Sequence, residues 1–366
     1  MEYSKMYDSK KADVFAEALM EHLNGGALML MLSIGHRTGL FDVLKGCGFK
    51  TSPEIAELSG LNERYVREWL GAMTSGRITE YKPDTGEYRL PDENASFLCR
   101  SASPNNMAVF AQYIGLLGGV EDHIVECFRK GGGVNYSEYP RFHEVMAEDS
   151  EQTVLSSLLE QILPLCEGLV DRLEEGIQVA DLGCGRGKAA ILLAKSFPKS
   201  QFLAVDLSAE AIAAGRADAM AAGIENLTFR EMDLSTYGND APEERYDFVT
   251  TFDAVHDQPD PASLLKGIYR SLRPGGVYLM QDIHSTGRLE DSANHPVGPL
   301  LYTISTMHCT SVSLAQGGEG LGTMWGREKA RELLEEAGFK SMKVHQLPHD
   351  FQNDYYVLEK LQEDES

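Results

Sequence analysis

The sequence predicts an α/β protein, a mostly parallel sheet with helices on both faces, preceded by a smaller and mainly helical unit. Three observations carry this. From Ile177 to Ile283 apolar runs of strand length alternate with stretches of helix length, the pattern of strand–helix–strand crossovers. Upstream, helix-spaced apolar residues dominate and only one hairpin signal occurs. Finally, 366 residues suit two domains better than one, and 43% hydrophobic against 24% charged residues supplies enough apolar material for sizeable cores.

Residues 1–100 form the first expected domain. Positions 11–45 show helical spacing interrupted by Asn24-Gly25-Gly26, which predicts two helices, the second from about Ala27 into Ile34, and a further short one beginning around Phe41, Val43 and Leu44. Thr51-Ser52-Pro53-Glu54 reads as an N-cap, a first-turn proline and an acid placed for a new helix. Its apolar face is Ile55, Ala56 and Leu58. After the turn Ser59-Gly60-Leu61-Asn62, the residues Tyr65, Val66, Trp69, Leu70 and Met73 make a second helical stripe. Ile78 to Leu90, centred on Asp84-Thr85-Gly86, reads as a β-hairpin. Helix, turn, helix and hairpin together describe a winged helix.

Residues 101–175 read as a helical connector and active-site cover, broken at Gly131-Gly132-Gly133. The third expected domain, 176–366, holds strands at Ile177 to Asp181, Gln201 to Asp206, Leu227 to Met232, Tyr246 to Phe252 and Gly276 to Ile283. Between them lie helices at Lys188 to Ser196, Ala209 to Ala222 and Ala262 to Leu272. The stretch Asp282 to Trp325 breaks the rhythm around an apolar segment, Leu300 to Met307. A helix, Arg327 to Ala337, and two strand-like runs, Ser341 to Leu347 and Asp354 to Leu358, follow. The tail Gln362 to Ser366 is polar and expected to fray.

A formal charge of −23 and pI near 4.8 argue against phosphate backbones and anionic lipid as partners. The six cysteines form no CxxC pair, and reduced thiols are the expectation. The apolar run Ala27 to Leu32 is too short to span a bilayer, and Glu17 and Glu21 before it do not suit a signal sequence. A cytoplasmic protein is expected. His284, His295 and His308 match no metal-site spacing, so no metal is expected.

The densest signal is Asp181-Leu182-Gly183-Cys184-Gly185-Arg186-Gly187, where a strand passes into three alternate glycines. Such a turn lets backbone approach a ligand closely, at a helix N-terminus. Alone it leaves a nicotinamide nucleotide, a flavin or S-adenosylmethionine open. Three acids separate them. Asp206 ends the second strand, where an acid takes ribose hydroxyls. Asp233 ends the third strand and can accept from an adenine amine. Asp181 would repel a pyrophosphate and attract a cationic methionine moiety.

With Val205-Asp206-Leu207-Ser208, Asp233-Leu234, Tyr246-Asp247-Phe248-Val249 and Leu272-Arg273-Pro274-Gly275-Gly276, the glycine stretch resembles the class I S-adenosylmethionine-dependent methyltransferases. That resemblance implies a Rossmann-like, seven-stranded, doubly wound sheet with its last strand antiparallel. It implies S-adenosylmethionine as cofactor, held by Asp181, Gly183, Gly185, Gly187, Asp206, Leu207, Asp233, Leu234 and Phe252. The stretch Asp253 to Pro261 looks like the His-Asp step of plant and bacterial O-methyltransferases, which implies His256 as general base for an acceptor hydroxyl. Gln258 replaces the aromatic residue usual there, and packing or positioning is the competing role. A closer resemblance, to winged-helix methyltransferases of mycobacteria and animals, lies in Gly131 to Val134, Arg141 to Ser150 and Ser313 to Gly318.

Tyr136, Phe142, His143, His308 and Trp325 are candidates for an aromatic substrate pocket, with Tyr139 and His349 beside them, which suits a small molecule. The rival function is a winged-helix DNA-binding regulator with a cofactor-sensing, non-catalytic domain. From Thr51 to Arg100 there are six bases against nine acids, and Glu63 and Glu68 sit on the helix that would face DNA, a poor electrostatic match. The resemblance implies instead a homodimer, with Ala27 to Ile34 as the expected contact.

Overall fold

The computed structural model describes residues 7–362, so the tail expected to fray lies, from Glu363 on, outside the described residues. The chain divides into two compact units, Met1–Gly115 and Leu116–Ser366.

In the first unit a single helix spans Ser9–Thr38, capped by the Asp8 carboxylate at its start and by left-handed Gly39 at its end. The break expected at Asn24-Gly25-Gly26 does not occur. Each glycine costs about 1 kcal/mol relative to alanine, and the alanine, leucine and methionine runs on both sides outweigh that. The pair Ser52–Ser59 and Glu63–Ser75 follows, with a Thr51–Glu54 capping box and the Asn62 side chain as N-cap. Val66, Trp69, Leu70 and Met73 are buried with Phe41, Leu44 and Ile55. Tyr65, expected among them, is 80% exposed, because it sits a step of about 100° from Val66, off the buried arc. Strands β1 (Lys50–Thr51), β2 (Glu80–Lys82) and β3 (Glu87–Arg89) form a small antiparallel sheet in the order β1-β3-β2. This is the winged helix that the sequence predicts.

The second unit holds seven strands: β4 (Gln178–Leu182), β5 (Gln201–Asp206), β6 (Leu227–Glu231), β7 (Tyr246–Phe252), β8 (Leu272–Ile283), β9 (Met342–Leu347) and β10 (Asp350–Glu359). Their order is β6-β5-β4-β7-β8-β10-β9. The first five are parallel, and β10 runs antiparallel to both neighbours. Side chains alternate between two cores, as a pleat requires. Tyr356 packs with Leu264, Ile268, Leu333 and Trp325, whereas Tyr355 packs with Leu163, Leu169, Leu193 and Phe202. The strand order reverses at β4, whose neighbours are β5 and β7. That switch opens a crevice beyond the carboxyl ends of the strands.

Candidate active site

The crevice is a cavity of about 820 Å³ lined by the ends of β4, β5, β6 and β7 and by segments 135–155 and 312–316. Its floor is the glycine loop. The amides of Gly183 and Cys184 both donate to the Val205 carbonyl (2.9 Å each), which ties the loop to β5. Gly183 has φ +74°, and a Cβ there would lie 2.5 Å from the Ala254 side chain. Gly187 has φ +65°, and its Cβ would meet the Phe229 ring at 2.3 Å. Both positions therefore need glycine. Gly187 stands behind the lining and packs the loop onto β6.

Asp206 accepts from the Gly185 amide and the Ser208 amide, both at 2.8 Å. Asp233 accepts from the Ser235 amide at 2.8 Å and caps the turn after β6. These bonds orient carboxylates that both line the cavity. Asp181 is buried and accepts from the Thr250 hydroxyl at 2.9 Å. Burial raises its pKa to about 7, against the lowering effect of Thr250 and with a further rise from Asp206. Leu207, Leu234 and Phe252 complete this half.

The other half carries Tyr136, Tyr139, Phe142 and His143. Burial lowers the pKa of His143. Phe142 stacks on His308 with ring centres 3.9 Å apart, and Tyr136 and Tyr139 meet the same imidazole edge-on. His308 itself is 1% exposed and does not line the cavity. Burial lowers its pKa to about 4, so it packs as a neutral ring. Trp325, also expected in the pocket, belongs to the core on one face of the sheet, and its Nε1 donates to Asp282 at 3.0 Å. His349 pairs through Nε2 with the Thr153 carbonyl and does not line the cavity.

His256 is likewise set behind the wall. It is 3% exposed, its Nδ1 lies 2.7 Å from Asp282 Oδ1, and its Nε2 lies 3.4 Å from Asp257 Oδ1. Burial works against its charged form, but the Asp282 and Asp257 carboxylates outweigh that and hold its pKa well above the ordinary range. Asp257 lines the cavity and accepts from the Tyr136 hydroxyl at 2.9 Å. Burial and this carboxylate push the Tyr136 pKa well up. The polar pair on this side of the cavity is thus Asp257 with Tyr136, and sequence reasoning did not single out Asp257. The signal was adjacency to His256.

The bases in the lining are each neutralised: Arg141 by Glu144 (2.6 Å), Arg186 by Glu210 (2.6 Å) and Lys188 by Asp218 (2.8 Å). Among the described residues no lysine or arginine pairs with Asp181, Asp206, Asp233 or Asp257. At the end of β7, Asp253 has φ +49°, a conformation costly for a side chain other than glycine. It is held there by the Gln281 carbonyl and side chain.

Comparison with known proteins agrees with this architecture. Residues 26–100 match the family model of the Rv2258c-like winged HTH domain, and residues 173–338 match a methyltransferase domain. A ubiquinone biosynthesis O-methyltransferase of Acinetobacter baumannii (strain AYE) is 28% identical over 156 residues, 41% of this chain and 64% of that protein. A trans-aconitate 2-methyltransferase of Azoarcus sp. (strain BH72) is 32% identical over 109 residues, 30% of this chain and 40% of that protein. The chain therefore spans less than two thirds of the curated relatives it matches. Among solved structures, human N-acetylserotonin methyltransferase in complex with SAM superposes with TM-score 0.67 at 18% identity, covering 99% of this chain and 100% of that one. The mitomycin 7-O-methyltransferase MmcR gives 0.66 at 15%, covering 96% and 100%. At such identities the likeness concerns the fold.

Proposed function

We propose that this chain, a winged helix-turn-helix domain joined to a methyltransferase domain, methylates a small molecule from S-adenosylmethionine. The observation that carries the reading is the cavity floor, where sterics require glycine at Gly183, and behind it at Gly187, and three oriented acids stand in order along the strand ends. The residues fit the cofactor. The loop leaves room for backbone contact, Asp206 presents acceptors to ribose hydroxyls, and Asp233 presents them to an adenine amine. Asp181 is a counter-charge for a cation. When bound, S-adenosylmethionine supplies a methyl group on a positively charged sulfur.

The chain's own residues orient the acceptor and handle its proton. In-line positioning contributes most to such a transfer. The aromatic wall of Tyr136 and Phe142 supports a small, partly apolar acceptor. Asp257 is the group placed to hold the proton that an acceptor hydroxyl or amine gives up, and His256 supports it from behind. A cavity whose bases are all paired favours a neutral or cationic acceptor over a carboxylate. Calorimetric titration with S-adenosylhomocysteine tests the core of this. Micromolar binding is expected, and no binding would remove the proposal.

The protein acts as a homodimer in this reading. Phe15, Leu19, Leu23, Leu30 and Ile34 are exposed on the Ser9–Thr38 helix and fall within an arc of about 100°. A second copy is the occupant proposed for that stripe. Sedimentation should give a dimer for the wild type and a monomer for Leu23→Glu, and a monomeric wild type would exclude it. No helix among the described residues is long and apolar enough to cross a membrane. A cytoplasmic location and the absence of a nucleic-acid partner complete the proposal.

A further inference from the structure

Behind the acceptor half lies a set of donors of which methyl transfer uses His256 and Asp257 and leaves Cys309 unused. His256, Asp257 and Cys309 are all buried, and one ligand atom from each, an imidazole nitrogen, a carboxylate oxygen and a thiol sulfur, lies within 4.8 Å of the others. They arrive from two places: the loop after β7, and the π-helical turn Ser305–Cys309, a kind of turn common at functional sites. The His256 Nε2 to Asp257 Oδ1 distance is 3.4 Å. Two ligands about 2.0–2.1 Å from a tetrahedral ion stand roughly 3.3–3.4 Å apart.

Two further features point to a ligand. Asp257 Oδ1 is buried and finds no hydrogen-bond partner among the described residues, although Nε2 is near it. A buried orphaned carboxylate oxygen is costly. In addition, Nδ1 of His256 faces Asp282 Oδ1 at 2.7 Å, and that oxygen is itself fixed by Trp325 Nε1 and the Ile283 amide. A carboxylate on Nδ1 fixes the ring's orientation, and a metal ion can take the place of the Nε2 proton that the flanking carboxylates favour. We infer that His256, Asp257 and Cys309 bind one divalent transition-metal ion of the Zn²⁺ type, for which a mixed imidazole, carboxylate and thiolate set is suited. The sequence could not suggest this, because Cys309 stands far along the chain from the His-Asp pair.

The use of the ion rests on the methyltransferase reading, but its binding does not. A cation held there stands behind the Asp257 carboxylate that lines the acceptor end of the cavity, and its charge favours the deprotonated acceptor across that carboxylate. The test uses the full chain stripped with a chelator, then titrated with Zn²⁺ against a chromophoric competitor, with S-adenosylhomocysteine binding measured on the same samples. One tight Zn²⁺ per chain is expected, and Co²⁺ in its place should show a thiolate charge-transfer band. Cys309→Ser should abolish that band and weaken Zn²⁺ at least tenfold, and Asp282→Asn should weaken it about 10–100-fold. Both variants should still bind S-adenosylhomocysteine. Wild type that binds S-adenosylhomocysteine but not Zn²⁺ overturns the metal site and leaves the methyltransferase reading standing. Zn²⁺ binding without S-adenosylhomocysteine binding does the reverse. Zn²⁺ affinity unchanged in Cys309→Ser also overturns the site.

Discussion

The two halves of the cavity are built in different ways. The half proposed for the cofactor comes from consecutive strand ends: Asp181 and the glycines after β4, Asp206 after β5, Asp233 after β6, Phe252 at the end of β7. Each is set by a short local turn. The half proposed for the acceptor is assembled from segments remote in sequence, Tyr136 to His143, Ala254 to Gln258 and Val312 to Gln316, with His308 and Cys309 behind. Its groups bond to one another across these gaps, as Tyr136 does to Asp257 and His256 to Asp282. A shared ligand can be held by local pieces in fixed order, whereas selectivity for a particular acceptor comes from loops that differ freely.

The contrast is broken most severely at Asp257. If the halves are functionally separate, Asp257→Asn should lower turnover about 10²–10⁴-fold while leaving S-adenosylhomocysteine affinity unchanged. His256→Gln should lower turnover in the same direction by less, because the imidazole does not line the cavity. A full wild-type rate in Asp257→Asn, measured once an acceptor is in hand, would remove Asp257 from proton handling. An S-adenosylhomocysteine affinity that fell with it would join the halves instead.

Asp206 offers the complementary break. Its two oxygens are oriented by the Gly185 and Ser208 amides, and charge-assisted bonds to ribose hydroxyls contribute about 1.5–3 kcal/mol. Asp206→Ala should therefore weaken S-adenosylhomocysteine about 10–100-fold by calorimetry. Because Gly185 also loses its partner, Asp206→Asn should recover part of the loss. An unchanged affinity in Asp206→Ala would mean that the ribose is held elsewhere.

The same difference decides what could be read from the sequence. The strand Gln201–Asp206, the helix Lys188–Ser196 and the strand Tyr246–Phe252 fall where their periodicity predicts, because strand and helix patterning is local. The winged helix was legible for the same reason, from the Thr51 capping box to the hairpin at Gly86. Where a tertiary balance decides, local reading fails. Gly25 and Gly26 continue a helix instead of ending one, and Tyr65 points outward. Three candidates, His256, His308 and Trp325, lie behind the cavity wall, because residue type shows that a group is polar or aromatic but not how many layers separate it from a ligand. His308 is covered by Phe142, Trp325 is held by Asp282, and His256 is shielded by Asp257. Only long-range contacts fix such depth.

Asp181 gives the smallest effect and the sharpest test of how the cofactor half recognises charge. Its folded pKa of about 7 is raised from an ordinary 3.8 by burial. In the free protein the sign is therefore unfavourable to high pH. The contribution to stability is full below the unfolded value and is lost as pH rises through about 7. A bound cation reverses the preference, since it favours the ionised carboxylate. S-adenosylmethionine carries a positive sulfur and S-adenosylhomocysteine a neutral one, so the ratio of their affinities isolates this one charge. The ratio should move toward S-adenosylmethionine as pH rises from roughly 5 through about 7, and level off above that, by about tenfold in all for each pKa unit by which the cation lowers Asp181. Asp181→Asn should flatten the ratio across that window and raise thermal stability of the free protein at pH 8. A wild-type ratio that is flat with pH would mean that Asp181 meets the cofactor as a neutral hydrogen-bonding group and that the counter-charge lies with another acid.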